Sequence, residues 1–256
     1  MRWLRLIRLC THLLLGVGTV ALLYPLLGNQ LRLSLKRRWS ERLLRILGIR
    51  LNADMGELPA GSLLVSNHVS WLDVYVINGA QPAAFVSKAE VRQWPVIGWL
   101  AARTDTIFLR RGSRGHARII NTEIAAVLNK DRCVALFPEG TTTDGGALLH
   151  FHAALLQPAI EAGRPIVPLA ISYHDVQGQR STAPAYVGDM SLWQCLQAIL
   201  AARNLEARLQ AGPALATSDG AISRRDLAAQ ARQAIASRLM LPESPVDDAP
   251  RQQLAA

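Results

Sequence analysis

A chain of 256 residues, half of them hydrophobic, has enough sequence to bury a sizeable core as one large domain or two small ones. Its net charge of +9 sits in the head: residues 1–50 hold ten Lys and Arg against Glu41 alone, and the remaining 206 residues hold 18 cations and 18 acids. A neutral body argues against a nucleic acid partner, and a basic head flanking the most apolar stretch points to a membrane surface.

From Cys10 to Leu27 the residues are almost all apolar, with Thr11 and His12 near one end. Eighteen residues make about 27 Å of helix against roughly 30 Å of bilayer hydrocarbon. Three placements follow: across the bilayer, within one leaflet, or buried against the protein. Arg2, Arg5 and Arg8 precede the segment as in a signal peptide, but no A-x-A-like cleavage site follows, so the segment is expected to stay. Six cations come after it (Arg32, Lys36, Arg37, Arg38, Arg42 and Arg45), a bias that places the following domain in the cytoplasm if the segment spans. Among them Trp39, Leu43, Leu44 and Leu47 recur at near-helical spacing. That pattern suits a helix in the headgroup region or one docked on the domain.

From Leu51 onward short β-like runs alternate with helical stretches, the pattern of an α/β domain. The strands are predicted at Leu63–Ser66, Ala84–Val86, Thr106–Leu109, Cys133–Phe137 and Ile166–Ser172, and the clearest helices at His116–Leu128, Ala153–Ala162 and Arg224–Leu239. Cys10, Cys133 and Cys195 are widely spaced, with no C-x-x-C and no His in ligand spacing, and read as packing residues. Residues 242–256, rich in Pro, Asp and Gln, read as a disordered tail. The organisation expected is therefore a membrane-spanning or membrane-embedded, basic amphipathic segment over 1–50, one domain over 51–241, and the tail.

Four strand ends carry the polar residues. Asn67-His68-Val69-Ser70-Trp71-Leu72-Asp73 follows the first strand. On one helix His68 and Asp73 would lie about 140° apart, so they pair only if a turn intervenes. Ser70 as N-cap and Asp73 in the first helical turn leave His68 in the loop ahead. Two readings fit: a general-base dyad in which Asp73 fixes the tautomer of His68, or a capping acid beside a polar loop residue. Phe137-Pro138-Glu139-Gly140-Thr141 ends another strand, with Gly140 free to let backbone approach a ligand. Glu139 faces the crevice of His68 if the two strands are neighbours. Thr106–Leu109 ends in Arg110 and Arg111, suited to phosphate or to a solvated basic loop. Pro165 and Pro168 bracket the fourth strand. Upstream, Trp94-Pro95-Val96-Ile97-Gly98-Trp99 offers an aromatic surface for a chain or a membrane, or part of a core.

In this order and spacing the four stretches resemble the motif set of the glycerolipid acyltransferases typified by bacterial 1-acyl-glycerol-3-phosphate acyltransferase. The likeness covers about Leu63 to Ser172; Arg111 falls on the second-motif arginine and Val167-Pro168 on the fourth motif. It implies an αβα acyltransferase domain on a membrane, here preceded by the N-terminal membrane-associated helical segment. Such a domain carries an acyl group from acyl-CoA or acyl carrier protein to the hydroxyl of lysophosphatidate, forming phosphatidate. His68 is then the general base with Asp73 its partner, and Arg111, Glu139, Gly140 and Thr141 hold the acceptor head group. The resemblance implies no metal and no cofactor beyond the acyl donor. The chain has no Gly-x-Ser-x-Gly elbow, in keeping with direct attack by the acceptor.

Two positions depart from the family pattern. Thr142 stands where the third motif commonly has Arg, and Asp105 where a Gly often precedes the second-motif strand. Thr142 motivates an alternative acceptor, another lyso-lipid such as lyso-ornithine lipid. A non-catalytic membrane-anchored lipid-binding protein and a thioester hydrolase are the further alternatives.

Overall fold

The computed structural model describes residues 2–109, 114–202, 204–217 and 222–242. Helix α1 (Arg2–Gly18) continues through a π turn (Thr19–Leu23) and a 3-10 turn (Tyr24–Leu26). Trp3–Leu26 thus forms 24 helical residues, long and apolar enough to cross a bilayer, and its most apolar 18-residue window has a mean hydropathy of 1.9. Past Pro25 and Gly28 the chain doubles back as α2 (Asn29–Leu47). The two arms lock through one pair: the rings of His12 and Trp39 stack 4.6 Å apart. Trp39 Nε1 donates to the His12 carbonyl at 3.3 Å, and His12 Nε2 lies 3.0 Å from the Trp39 carbonyl. Gly16 makes room for the indole, since a Cβ there would come within 2.6 Å of Trp39 Nε1.

Helix α2 ends at Gly48, left-handed at φ 82, whose N–H caps the carbonyls of Leu44 and Arg45. Leu43, Leu44 and Leu47 are buried beneath it, so this basic helix docks its apolar face on the domain. Each such leucine contributes about 1.5–3 kcal/mol of burial.

The sheet begins directly after, with β1 (Ile49–Asp54) and β2 (Leu63–Ser66), then α3 (Asp73–Ala80) and β3 (Ala84–Lys88). Next come α4 (Ile97–Arg103), β4 (Ile107–Leu109), α5 (Arg114–Leu128) and β5 (Val134–Leu136). The chain closes with α6 (Gln157–Glu161), β6 (Ile166–His174), α7 (Leu192–Ala201), β7 (Leu205–Ala211) and α8 (Arg224–Arg238). The strand order is β1-β7-β6-β2-β5-β3-β4, parallel except for the β6–β7 pair.

Strand β2 lies at the centre and alternates its side chains between two cores. Leu64 packs with Leu43, Leu47, Val76 and Ile199 on the face of α2, α3 and α7. Leu63 and Val65 pack with Ile120, Ile124, Leu227 and Ile235 on the face of α5 and α8. This is the αβα arrangement expected. The five predicted strands are present, β2 with the expected ends and the others with ends shifted by at most two residues, and β1 and β7 are additional. The tail expected at 242–256 lies outside the described residues apart from Pro242.

The geometry that matters is the reversal of strand order around β2. The chain leaves β2 for β3 on one side and later crosses from β5 to β6 on the other. Loops after β2, β5 and β6 therefore meet at one end of the sheet, the crevice in which open α/β sheets bind ligands.

Candidate active site

The site is built from the first residues past β2. Asn67 continues the strand with its side chain: its Nδ2 donates to the Ile171 carbonyl at 3.0 Å, and its Oδ1 accepts from the Ile171 N–H at 2.8 Å. With β6 clamped in this way, the backbone is free to turn. The turn brings His68 Nδ1 to 2.9 Å from Asp73 Oδ2, across the five residues that a straight helix would have held apart.

Asp73 opens α3 and is fully buried. Its Oδ2 also accepts from the backbone N–H of Val69 at 2.7 Å and of Ser70 at 2.9 Å. Its Oδ1 accepts from the hydroxyl of Tyr173, on β6, at 2.7 Å. Ser70 Oγ accepts from the Leu72 N–H instead of capping residue 73. One carboxylate thus makes the contacts that either reading of Asp73 requires, orienting the imidazole and closing the helix start.

The tautomer follows from the acceptor. An ionised carboxylate only accepts, so Nδ1 of His68 carries a hydrogen, and in the neutral imidazole Nε2 keeps its lone pair. Among the described residues Nε2 has no hydrogen-bond partner. The His68 side chain is 20% exposed and its ring stacks on Phe137 at 3.8 Å, which fixes the ring plane and leaves an edge toward the crevice. The group is oriented, and its outer nitrogen is accessible.

Strand β5 is the neighbour of β2, in register at Val65 and Leu136, so Glu139 does reach the same crevice. There it braces loops: Oε1 accepts from the His68 N–H and Oε2 from the Leu149 N–H, both at 2.9 Å. Burial pushes its carboxyl above the usual carboxylate range, against the pull of those two N–H groups. Gly140, left-handed at φ 70, turns the chain back over His68, and the Thr143 N–H donates to the His68 carbonyl at 2.8 Å. Thr141 sits exposed on this turn. Thr142 spends its hydroxyl on the Tyr186 carbonyl. Arg111 lies outside the described residues.

Cys133 and Cys195 are buried in the core, where burial pushes both thiols up and disfavours thiolate. Cys10 is exposed on α1. Sequence reasoning missed Asn67 and Tyr173. The one signal for Tyr173 was a hydroxyl at the end of an otherwise buried apolar strand, which demands a partner.

The chain is similar to known proteins in sequence and in fold. The pattern of the Acyltransferase family matches residues 54–172. The chain is 40% identical over 239 residues, 91% of each chain, to the lyso-ornithine lipid O-acyltransferase of Pseudomonas aeruginosa. It is 36% identical over 163 residues, 64% of each chain, to the 1-acyl-sn-glycerol-3-phosphate acyltransferase of Neisseria meningitidis. The crystal structure of 1-acyl-sn-glycerophosphate acyltransferase from Thermotoga maritima superposes with a TM-score of 0.66 at 18% identity, covering 94% of this chain and 97% of that one. At that identity the superposition speaks for the fold.

Proposed function

Because the chain belongs to the Acyltransferase family, as an O-acyltransferase of the lysolipid type, we propose that it acylates the free hydroxyl of lyso-ornithine lipid from acyl-CoA or acyl carrier protein. The observation that carries the chemistry is the buried Asp73 carboxylate fixed behind His68 by four donors. His68 Nε2 takes the proton of the acceptor hydroxyl as that oxygen bonds to the thioester carbonyl carbon. Collapse of the tetrahedral adduct breaks the C–S bond, and the departing sulfur takes the proton from the imidazolium that Asp73 stabilises. A positioned base of this kind contributes typically 10²–10⁴-fold.

The acceptor assignment is supported by Thr142. A guanidinium at that place would suit a phosphate, whereas the Thr142 hydroxyl is turned to the Tyr186 carbonyl. The relative matched over 91% of its length bears the lyso-ornithine name. Lysophosphatidate is the second reading, favoured by the Neisseria relative and by Arg111, which remains in the sequence.

Association with a membrane suits both. Antiparallel packing of α1 on the cationic α2 through His12 and Trp39 supports α1 lying along one leaflet. Its exposed stripe of Trp3, Ile7, Leu14, Leu22 and Leu26 then meets the acyl chains, and the cations of α2 suit the negatively charged cytoplasmic leaflet, which puts the domain on that side. Residues 1–50, 51–241 and 242–256 serve as anchor, catalytic domain and tail. Glu139, Gly140 and Thr141 form the acceptor side of the crevice, Glu139 by bracing it, and Arg111 is assigned to the acceptor head group from its place in the sequence alone.

The test offers detergent-purified protein lyso-ornithine lipid and lysophosphatidate separately, with long-chain acyl-CoA and then acyl carrier protein, and reads products by mass spectrometry. Ornithine lipid formed by the wild type and lost in His68→Ala is the expected result. Phosphatidate as the sole product selects the second reading, and unchanged turnover in His68→Ala refutes the base.

A further inference from the structure

Between β3 and β4 the chain leaves the sheet as a 3-10 turn (Ala89–Gln93), a tip, and α4. Core, chain contact and membrane contact were all open for this stretch in the sequence. The structure turns it outward: Trp94 is 48% exposed, Val96 57%, Ile97 42% and Trp99 36%.

The tip is a closed turn. Gly98 N–H donates to the Trp94 carbonyl at 2.9 Å, and a Cβ on Gly98 would strike the Arg92 carbonyl oxygen at 2.3 Å. At its apex Val96 is held at φ 62, a region that β-branched residues avoid. Strain spent on presenting an apolar side chain to the outside points to function.

Charge selects the occupant. Lys88, Arg92 and Arg103 are exposed around the tip against Glu90. The Arg103 guanidinium sits 5.6 Å over the Trp99 ring, and that of Arg92 5.5 Å over Phe108. Indoles beside cations are the chemistry of the headgroup boundary of an anionic bilayer. The tip also adjoins the surface already assigned to lipid. The Thr104 carbonyl, at the end of α4, accepts from Lys36 Nζ at 2.8 Å, and Lys36 stands on α2, the arm that carries α1.

We propose that the Trp94–Trp99 tip is a second contact with an anionic bilayer, separate from α1, which seats the β3 end of the crevice on the membrane. It rests on the reading of the chain as a membrane-bound lysolipid acyltransferase. Two anchors at the α2 edge fix the rotation of the domain, which one helix alone leaves free.

The test uses the full chain in a Cys10→Ser background, with an environment-sensitive fluorophore on Ile97→Cys or, as a control on the opposite layer, on Ile119→Cys of α5. Vesicles of phosphatidylcholine with phosphatidylglycerol are added and sedimented. Emission from position 97 is expected to shift to the blue and to be quenched by spin-labelled lipid, with position 119 unchanged. In parallel, Trp94→Ala is expected to raise KM several-fold for a long-chain lyso-lipid presented in vesicles, with kcat unchanged for a short-chain monomeric one. A position 97 that stays wet while the protein sediments with vesicles overturns the inference alone. No sedimentation removes its premise. A label already dry without vesicles, together with a dimer mass in detergent, assigns the tip to a second copy and overturns it. A tip that goes dry in a protein inactive toward every acceptor upholds the contact and defeats the proposed activity.

Discussion

Tyr173, near the end of β6, donates its hydroxyl to Oδ1 of Asp73 across 2.7 Å, both groups buried. The carboxylate has no other partner on that oxygen among the described residues, so the hydroxyl sets the plane in which Oδ2 meets His68. Hydrogen bonds to charged groups contribute about 1.5–3 kcal/mol. Tyr173→Phe removes the donor and keeps the ring, and kcat is expected to fall roughly tenfold to a hundredfold with KM little changed. Steady-state kinetics with saturating donor decide it; a loss confined to KM sinks the positioning role.

Substitutions at Asp73 separate its two duties. In Asp73→Asn one oxygen remains for His68, Val69 and Ser70, and the new amide nitrogen turns to Tyr173, whose hydroxyl rotates to accept. The fold is expected to persist while turnover drops by 10² or more, because nothing stabilises the imidazolium. Asp73→Ala strands all four donors and is expected to lose roughly 2–4 kcal/mol more stability than Asp73→Asn. Thermal unfolding of the two variants side by side checks this; equal midpoints would mean that the loop does not depend on the carboxylate.

The sequence announced what burial writes into it and stayed silent where pairing is edge-on or distant. Strand β2 is buried at all four positions and was legible as an apolar run. Strand β1 buries only Ile49 and exposes four of its six residues, so no apolar run marks it. On β7, Glu206 and Arg208 pair with each other, and Glu206 with Arg50 of β1, giving the strand the composition of a surface. His68, Asp73 and Glu139 could be nominated from strand ends, and the β2–β5 pairing then joined them. Tyr173 offered only a hydroxyl in a buried strand, which calls for a partner without naming it, because that partner lies 100 residues away and no spacing ties the two.

Asp105 explains a departure from the family pattern. It lies at φ 65, where glycine is at ease, and its carboxylate meets Arg132 at 2.7 Å and Lys36 at 3.7 Å. Glycine there would relieve the backbone and forfeit both pairs; alanine would forfeit the pairs and keep the strain. Asp105→Ala is therefore expected to be less stable than Asp105→Gly by about 1 kcal/mol. Denaturant midpoints that rank the two variants in the other order would contradict the backbone account.

Lys36 gives stability a particular pH dependence. Its ammonium is buried between α2 and the β3–β4 edge, donating to the carbonyls of Ala83 and Thr104. Burial pulls it down from 10.5 to about 8, with Arg132 pushing the same way and Asp105 opposing. Between those values the unfolded chain binds the proton and the native chain releases it, so stability rises with pH through that window. Below about pH 8 the full cost of the buried charge is present; above 10.5 it is gone. The difference is on the order of 3 kcal/mol across the window. Unfolding midpoints measured from pH 7 to 10 for the wild type and Lys36→Met are expected to converge or cross as the wild type gains. The variant keeps Asp105 paired with Arg132 and lacks the titrating group, so parallel curves would show that Lys36 keeps its ordinary affinity for the proton.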